Sequence, residues 1–510
     1  GWTETWLRDL RDYPHRCWEQ TLSRAVGAAL ALDADPKQSL WPNAHEEVQQ
    51  ALTVAPAFQD EQGDFRFFLN RNYDWTNAAN PVLSAYTLRS FTLLHALGYQ
   101  IPEAMQDSLI GAVKVTLATV AKPPTGKDDN DWRWETAATS AGALSDPKDL
   151  DSAALRNLWQ AWPRLSWYAR SELLRALARK PEFAEQTREA VQRLREAGEA
   201  HGLRRVIHDK RDHSYALGSP LRDQCAVVGT LFEFDHDPDG APARASLLRG
   251  LQDLFAGGTA SLDTQSSAQC LMALHVVKGA IPTGSQAQQI RLALGTATVT
   301  LSIPSGHEVA HWQPELSLSS VHGNALRLQS ASDSDPTLNF TARLSYRIDL
   351  EQARAQAIGM RLERSYQVLR NGEWLEQPKT PLREGDWVRV RLRLDVPALR
   401  RYVAITDIVP GGLVTRDINL SGVGGVGLKH LGDPGSWWFE SRQTGANQVQ
   451  LYAEQLPPGE HEVFYYAQAV QPGDYLAPPA VAELMYGRAS RATTESTRIL
   501  IEAKPAAGKH

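Results

Sequence analysis

The spacing of apolar residues changes once along this chain, and the change limits the fold to helices followed by sheets. From residue 17 to about residue 279, apolar side chains recur at three-and-four spacing, which predicts amphipathic helices. From about residue 289 onward they alternate with polar residues, which predicts the strands of a sandwich. At 510 residues the chain is too long for one hydrophobic core, so we expect about three domains.

The helical half has room for about a dozen helices at this spacing. Turn sequences such as Pro-Pro-Thr-Gly at 123–126 and Asp-Pro-Asp-Gly at 237–240 separate them. An even run of antiparallel helices with short connections favours a closed α/α toroid; a solenoid is the alternative, although no sequence repeat supports it. The clearest helical segments are 81–97, 102–120, 132–144, 166–179, 182–200, 221–234, 243–255 and 265–277.

The second half contains short alternating segments that are separated by glycine and proline turns. The clearest of them are 298–303, 339–347, 387–395, 402–409 and 461–469. We therefore predict a multidomain protein with α-helices first and β-sheets second, the helices forming a toroid of about twelve members.

Composition excludes some classes of function. Hydrophobic residues make up 42% and charged residues 22% of the chain, as in an ordinary soluble globular protein. A net charge of −6 gives no basic surface for nucleic acid, so we expect no nucleic-acid partner. No apolar run reaches the roughly 18 to 20 residues that span a bilayer. No signal peptide precedes Gly1 and no initiator methionine is present, which suggests a processed product or an excised fragment.

Cys17 and Gln20 have the spacing of an internal thioester. A thiolate can attack the carboxamide of a glutamine three residues on, expel ammonia and store an activated acyl group. Because Cys17 opens a helical segment, we expect the helix start to lower the pKa of its thiol. Glu19 lies between the two partners, where it would steer protons or cap the helix. The alternative is a buried structural cysteine at the start of a surface helix.

The three cysteines, Cys17, Cys225 and Cys270, are too few for a disulfide framework. Any single disulfide leaves one of the three cysteines unpaired. A thioester at Cys17 would account for the odd thiol.

The residues around this pair resemble a known motif. Tyr-Pro at 13–14, Cys-Trp-Glu-Gln at 17–20 and then Thr21, Ser23 and Arg24 resemble the thioester motif of the α2-macroglobulin and complement superfamily, in its bacterial branch. Further segments are similar to that family along essentially the whole chain. They are Trp75 before 81–86, the Asp-Ile-Val-Pro-Gly-Gly-Leu turn at 407–413, and the segments 437–442, 456–459, 477–480 and 485–486.

The resemblance implies a domain order. Residues 1–280 would form the thioester-carrying α/α toroid and 281–355 the second half of a CUB-like domain. Residues 356–505 would form a terminal macroglobulin-like domain, so that two β-sandwich domains follow the toroid, with a disordered tail at 506–510. In the family the terminal domain covers the thioester against water, and Met485 and Tyr486 stand at the matching positions, facing Tyr13 and Trp75.

The resemblance also implies a function. The chain would be the C-terminal part of a broad-spectrum protease inhibitor that traps proteases covalently through a thioester of Cys17 and Gln20. Each molecule would react once, so it would be a single-use acyl donor and not an enzyme, and it would need no cofactor or metal. Its expected partners are target proteases, upstream macroglobulin domains and envelope proteins. Its expected location is the periplasm, with an inner-membrane anchor in the missing N-terminal region.

The sequence departs from the family just before the cysteine. Arg16 replaces a usual glycine, where it would crowd the ring or favour the thiolate, and His15 replaces an aromatic residue. Some bacterial members lack a working thioester, so a silent envelope interaction module is the alternative. His15 and His95 are candidates for an acylation catalyst by position only, and we assign neither.

Three other patterns are candidates for enzyme sites. His-Glu-Val-Ala-His at 307–311 has the spacing of a zinc peptidase motif, but Pro304 and Gly306 before it and Pro314 after it disfavour the required helix. His208 and Asp209 with His213 form a weaker metal candidate. The acidic run 128–131 is a candidate for glycosidase carboxylates, although its context favours a solvated loop and a helix cap.

Overall fold

The helices lie in the first part of the chain and the sheets in the second, as predicted. The computed structural model describes residues 2–36, 40–69, 79–126, 129–209, 211–256, 263–278, 288–303, 312–330, 349–377, 381–416, 435–486 and 490–504. The predicted strand 339–347 and the predicted tail 506–510 lie outside these residues. Within them, no helix is both long and apolar enough to cross a membrane.

Twelve α-helices occupy the described part of the first 278 residues. They are α1 (Trp2–Arg11), α2 (Trp18–Ala34), α3 (Ala44–Phe58), α4 (Pro81–Ala96), α5 (Glu103–Ala118), α6 (Asp131–Ala143), α7 (Ser152–Gln160), α8 (Trp167–Ala178), α9 (Ala184–Arg195), α10 (Pro220–Phe234), α11 (Ala241–Ala256) and α12 (Thr264–Lys278).

The even-numbered helices form a closed inner ring. Each packs on the next, from α2 through α4, α6, α8 and α10 to α12, and α12 packs back on α2. The odd-numbered helices each pack against at least one even-numbered neighbour. Because the last helix contacts one of the first, the helices form an α/α toroid and not an open solenoid.

The inner helices begin at one end of the ring, because every second helix of an antiparallel run points the same way. Short polar side chains cap most of them. Asn80, Asn130, Ser166 and Ser219 each accept a hydrogen bond from a backbone N–H in the first turn of α4, α6, α8 and α10. A cysteine, Cys17, holds the corresponding position before α2.

A disulfide between Cys225 and Cys270 joins α10 to α12. Cys17 is the unpaired cysteine and is buried. The odd thiol expected from the sequence is therefore the one in the Cys17–Gln20 pair.

The predicted helix 182–200 is too long. Helix α9 ends at Arg195, and two short strands follow, β1 (Glu199–His201) and β2 (Arg204–Val206), which pair antiparallel. Gly198 has φ +82°, a left-handed conformation that a helix cannot continue through. The prediction was too long because the apolar spacing continues past this glycine although the helix does not.

The sheet region begins with three antiparallel strands in the order β4-β3-β5. They are β3 (Gln288–Leu294), β4 (Ala297–Ile303) and β5 (Arg327–Ser330), and a short helix α13 (Leu318–Val321) precedes β5. The predicted strand 298–303 is confirmed as β4.

The terminal part is a sandwich of larger sheets. A five-stranded sheet has the order β12-β15-β10-β7-β8, a six-stranded sheet the order β13-β14-β11-β17-β18-β6, and a three-stranded sheet the order β16-β19-β9. The strands are β6 (Gln356–Ile358), β7 (Arg361–Arg370), β8 (Glu373–Glu376), β9 (Leu382–Arg383), β10 (Trp387–Val396), β11 (Arg400–Ile408), β12 (Leu413–Thr415), β13 (Ser441–Thr444), β14 (Gln448–Leu456), β15 (Gly459–Ala469), β16 (Gly473–Ala477), β17 (Val481–Leu484), β18 (Arg491–Thr493) and β19 (Thr497–Glu502). The predicted strands 387–395, 402–409 and 461–469 are confirmed as β10, β11 and β15.

The central strands β11 and β14 of the six-stranded sheet are buried on both faces. On one face Val403 and Ile405 belong to the sandwich core. On the other face Tyr402, Ala404 and Tyr452 belong to the hydrophobic core of the toroid. The terminal sandwich therefore packs directly on the toroid, over the region where α2 begins.

Candidate functional site

Cys17 and Gln20 are held together by a reciprocal pair of hydrogen bonds at the start of α2. Cys17 has an extended backbone, and its N–H donates to Oε1 of Gln20 at 2.8 Å. In return, the backbone N–H of Gln20 donates to the sulfur of Cys17. This capping-box geometry places the thiol beside the carboxamide.

The carboxamide of Gln20 is fully buried and only half satisfied. Its Oε1 accepts the bond from Cys17, whereas its Nε2 has no hydrogen-bond partner within the described residues. A buried unsatisfied polar group costs about 1–3 kcal/mol. Loss of this nitrogen as ammonia would remove that cost.

The thiol of Cys17 is less acidic than the sequence led us to expect. Its helix position is as predicted, but burial raises its pKa well above the usual value, and the nearby charge of Glu19 raises it further. Hydrogen bonds from the backbone N–H groups of Glu19 and Gln20 lower the pKa of the thiol, but by less than burial raises it. The prediction of a lowered pKa is therefore wrong, since desolvation of the thiolate outweighs the helix start.

Glu19 joins three elements of the structure. Its carboxylate accepts hydrogen bonds from Ser23 Oγ at 2.6 Å, from Thr264 Oγ1 at 2.7 Å and from the Tyr486 hydroxyl at 2.7 Å. These residues lie on α2, on α12 and after β17. Burial raises the pKa of Glu19 to about 7. The carboxylate is thus engaged by hydroxyl groups and does not cap the helix.

Met485 and Tyr486, which we call the cover, lie beside the start of α2, where Met485 contacts Tyr13 and Tyr486 contacts Glu19. Both are buried, and the Tyr486 hydroxyl donates to Glu19 and lies close enough to the Cys17 thiol to lower its pKa. The Tyr13 hydroxyl donates to the carbonyl oxygen of Met485 at 3.5 Å. The structure therefore brings together Tyr13, the thiol pair and the cover. Trp75, the remaining expected shielding residue, lies outside the described residues.

The sequence did not identify two buried aromatic residues at the interface of the toroid and the terminal sandwich. Tyr402 packs edge to face on Tyr486 at 5.1 Å between ring centroids, and its carbonyl oxygen accepts a bond from the N–H of Met485. Tyr452 stacks on Phe68 at 5.0 Å. At Tyr402 the backbone has φ +54°, and its pairing with β14 is missing at that one position while the register is the same on both sides.

His15 is buried between the toroid and the terminal sandwich. Its Nε2 lies 3.3 Å from Glu483 Oε1, and its Nδ1 lies 3.2 Å from Gln450 Nε2 and 3.4 Å from the Tyr452 hydroxyl. His95, by contrast, is exposed on α4. Of the two histidines weighed in the sequence, only His15 belongs to the site.

Arg16 points away from the thiol pair. Its side chain is half exposed, and its guanidinium lies 3.7 Å from Glu47. The replacement of glycine by arginine therefore places no side chain against the ring that Cys17 and Gln20 would close.

The sequence offered three other candidate enzyme sites, and the described residues include parts of two of them. The motif 307–311 lies outside the described residues. Asn130 caps α6, and Asp129 and Asp131 both pair with Arg164, as expected of a solvated loop and cap. Asp209 does meet His213, at 3.2 Å, but it is also paired with Arg211.

The comparisons with known proteins agree with this architecture. Residues 359–487 match the family model of the bacterial α2-macroglobulin MG10 domain. No curated protein sequence matches the chain. Among solved structures, native Escherichia coli α2-macroglobulin from domain MG7 to the C-terminus aligns with a TM-score of 0.73 and 17% identity, over 98% of this chain and 75% of that one.

Two longer structures align in the same way. Salmonella α2-macroglobulin reacted with methylamine has a TM-score of 0.71 and 19% identity, and the native conformation of E. coli α2-macroglobulin has 0.71 and 17%. This chain spans 98% of its own length in both alignments but only 30% of those proteins. The chain thus carries a bacterial α2-macroglobulin MG10 domain at residues 359–487 and has the fold of the C-terminal region of bacterial α2-macroglobulins.

Proposed function

We propose that this chain is the C-terminal part of a broad-spectrum protease inhibitor that captures proteases covalently through a thioester of Cys17 and Gln20. One observation carries the proposal. The thiol and the carboxamide are both fully buried, they are joined by the bond from Cys17 N–H to Gln20 Oε1, and the amide nitrogen that would leave has no partner in the described structure.

The chemistry would proceed in two stages. First, Sγ of Cys17 bonds to Cδ of Gln20 and ammonia departs, which stores an activated acyl group. Later, a lysine amine of the captured protease attacks the same carbon, and Cys17 leaves as a thiolate. The acyl group ends on the protease, so each molecule reacts once and the chain is an inhibitor, not an enzyme.

The cover explains how such a bond would survive in water. Cys17 and Gln20 are fully buried, and Met485, Tyr486, Tyr13 and Tyr402 are buried as well, which would exclude the water that hydrolyses a thioester. Capture would then begin when a protease cuts an exposed bait segment in the N-terminal region of the parent protein and the terminal sandwich leaves the toroid.

We also propose a periplasmic location, with envelope proteins and the upstream domains as partners. The Cys225–Cys270 disulfide supports this location, because such bonds persist in the bacterial periplasm and are rare in the cytosol. The inner-membrane anchor implied by the resemblance remains part of the proposal.

Intact-mass spectrometry tests the thioester directly. We expect the purified chain to weigh about 17 Da less than its sequence with the disulfide formed, and methylamine to abolish the deficit and release one thiol. Cys17→Ala is the matched control and should show no deficit. A wild-type chain of unmodified mass with a free thiol at Cys17 would contradict the proposal and favour the silent envelope module.

A further inference from the structure

We propose that the terminal sandwich takes a chemical part in making the thioester. In this proposal Tyr486 passes the thiol proton of Cys17 to Glu19, while the backbone N–H of Cys17 stabilises the negative charge on Gln20 Oε1. The inference rests on the proposed function and assigns Tyr486 a second role besides excluding water.

The Tyr486 hydroxyl is placed to relay a proton. It donates to Glu19 Oε2 at 2.7 Å and also contacts the thiol of Cys17. A phenol can accept one hydrogen bond while it donates another, so the S–H can donate to the phenol oxygen as the O–H donates to the carboxylate. A relay is needed because burial keeps the thiol protonated at neutral pH.

Glu19 is held as the acceptor at the end of this relay. Ser23 donates to one oxygen and Thr264 to the other, and Ser23 is itself hydrogen bonded to the Tyr86 hydroxyl at 2.7 Å. These contacts fix the carboxylate on α2 and α12. A carboxylate with a pKa of about 7 can both take up and return a proton near neutral pH, as general acid–base catalysis requires.

The N–H of Cys17 is placed as an oxyanion donor. It lies 2.8 Å from Gln20 Oε1, within the distance at which a donor stabilises the tetrahedral intermediate of acyl transfer. Charge develops on this oxygen when the sulfur attacks. The same bond that orients the carboxamide in the resting chain would therefore strengthen in the transition state.

The step balances without any further reactant. The Sγ–Cδ bond forms, the Cδ–Nε2 bond breaks, and the thiol proton is held by Glu19 until it leaves on nitrogen as part of ammonia. Nothing is oxidised or reduced, and Tyr486 and Glu19 return to their starting states. Because Tyr486 belongs to the terminal sandwich, the thioester would form only after that sandwich has packed on the toroid.

Tyr486→Phe separates the relay from the cover, since it removes the hydroxyl and keeps the ring. We expect the fraction of freshly made chains with the mass deficit to rise about 100-fold more slowly than in wild type, followed by intact mass during cell-free synthesis. Glu19→Gln, which is nearly isosteric, should slow formation similarly. Tyr366→Phe is the matched control, because it removes a buried hydroxyl from the sandwich core far from the site.

The masses of residue 20 distinguish the outcomes. A chain that never closed the ring keeps Gln20 and its sequence mass, whereas one that closed it and lost the thioester to water carries glutamate and gains about 1 Da. Sequence mass in Tyr486→Phe supports the relay; the full deficit, or the hydrolysed mass, overturns it. If that variant fails to fold, Glu19→Gln decides by the same masses. A wild-type chain that never shows the deficit overturns the proposed function itself.

Discussion

The phenol oxygen of Tyr486 lies 2.7 Å from a carboxylate oxygen of Glu19, although 467 positions separate the two residues in the chain. The contact joins the terminal sandwich to the first inner helix of the toroid. Both groups are buried near Cys17. The surroundings of this thiol therefore depend on how the terminal sandwich packs on the toroid.

Stability should depend on pH through Glu19. Its pKa is raised in the folded chain from 4.5 to about 7, so the folded state binds the proton more tightly than the unfolded state. The stabilisation is complete below pH 4.5 and is lost as pH rises through 7. Denaturant unfolding between pH 5 and 8 should therefore show a decline that is smaller in Glu19→Gln, by up to about 3 kcal/mol.

Other buried carboxylates also make the folded state less stable as pH rises. The quantity to compare is therefore the difference in pH dependence between wild type and Glu19→Gln. Burial raises the pKa of Asp223 to about 7 and that of Glu454 to about 8. Both groups remain in Glu19→Gln. Parallel pH curves for wild type and variant would show that Glu19 does not carry the effect.

His15 should hold the terminal sandwich against the toroid. His15→Ala removes the contacts to Glu483, Gln450 and Tyr452 and leaves partners unsatisfied, at a cost of about 1–3 kcal/mol. We expect faster loss of the mass deficit in methylamine than for wild type. His95→Ala, at an exposed position, is the control and should react at the wild-type rate.

The disulfide should stabilise the closure of the toroid. Cys225 and Cys270 are 45 positions apart, and a loop of this size corresponds to about 4 kcal/mol in the chain-entropy model. Replacing both with alanine should lower the thermal midpoint clearly, and reductant should then have no further effect. Cys17→Ala should keep the full sensitivity to reductant; if it does not, the assigned pairing is wrong.

Removing only one member of the buried ion pair Arg364–Asp407 should lower the free energy of unfolding strongly. The two groups lie 2.5 Å apart in the sandwich core, and Tyr465 also donates to Asp407. Arg364→Met leaves a buried carboxylate without its charge partner, and we expect a loss of about 3–5 kcal/mol in denaturant unfolding. The double variant Arg364→Met with Asp407→Leu should recover most of it, and an unrecovered double variant would argue against pairing as the cause.

The sequence predicted most of the fold because the apolar spacing is regular where one face of an element is buried. Helices α4, α6 and α10 and strands β10 and β15 have nearly the predicted bounds. The closure of the ring by α12 on α2 is a contact between distant segments, and only the resemblance and the even helix number indicated it.

The site was predicted less completely, and for physical reasons. Cys17, Gln20, Glu19, Tyr13, Met485 and Tyr486 do meet. Tyr402 and Tyr452 escaped notice because their strands are buried on both faces, so no alternation marks which side chains reach the toroid. The acidity of the thiol was misjudged because the helix start is visible in the sequence, whereas the desolvation by the cover is not.

Glu19 is hydrogen bonded to Thr264 and to Tyr486, which both lie far downstream in the chain. The site therefore cannot be complete until these residues have been synthesised. Cys17 leaves the ribosome first, its neighbour on α12 follows 247 positions later, and Tyr486 emerges 467 positions after Glu19. At bacterial elongation rates the thiol therefore waits roughly half a minute or more for its last partner. During that interval Cys17 is an ordinary nascent cysteine, and the translating cell has to keep it reduced until Tyr486 has been made.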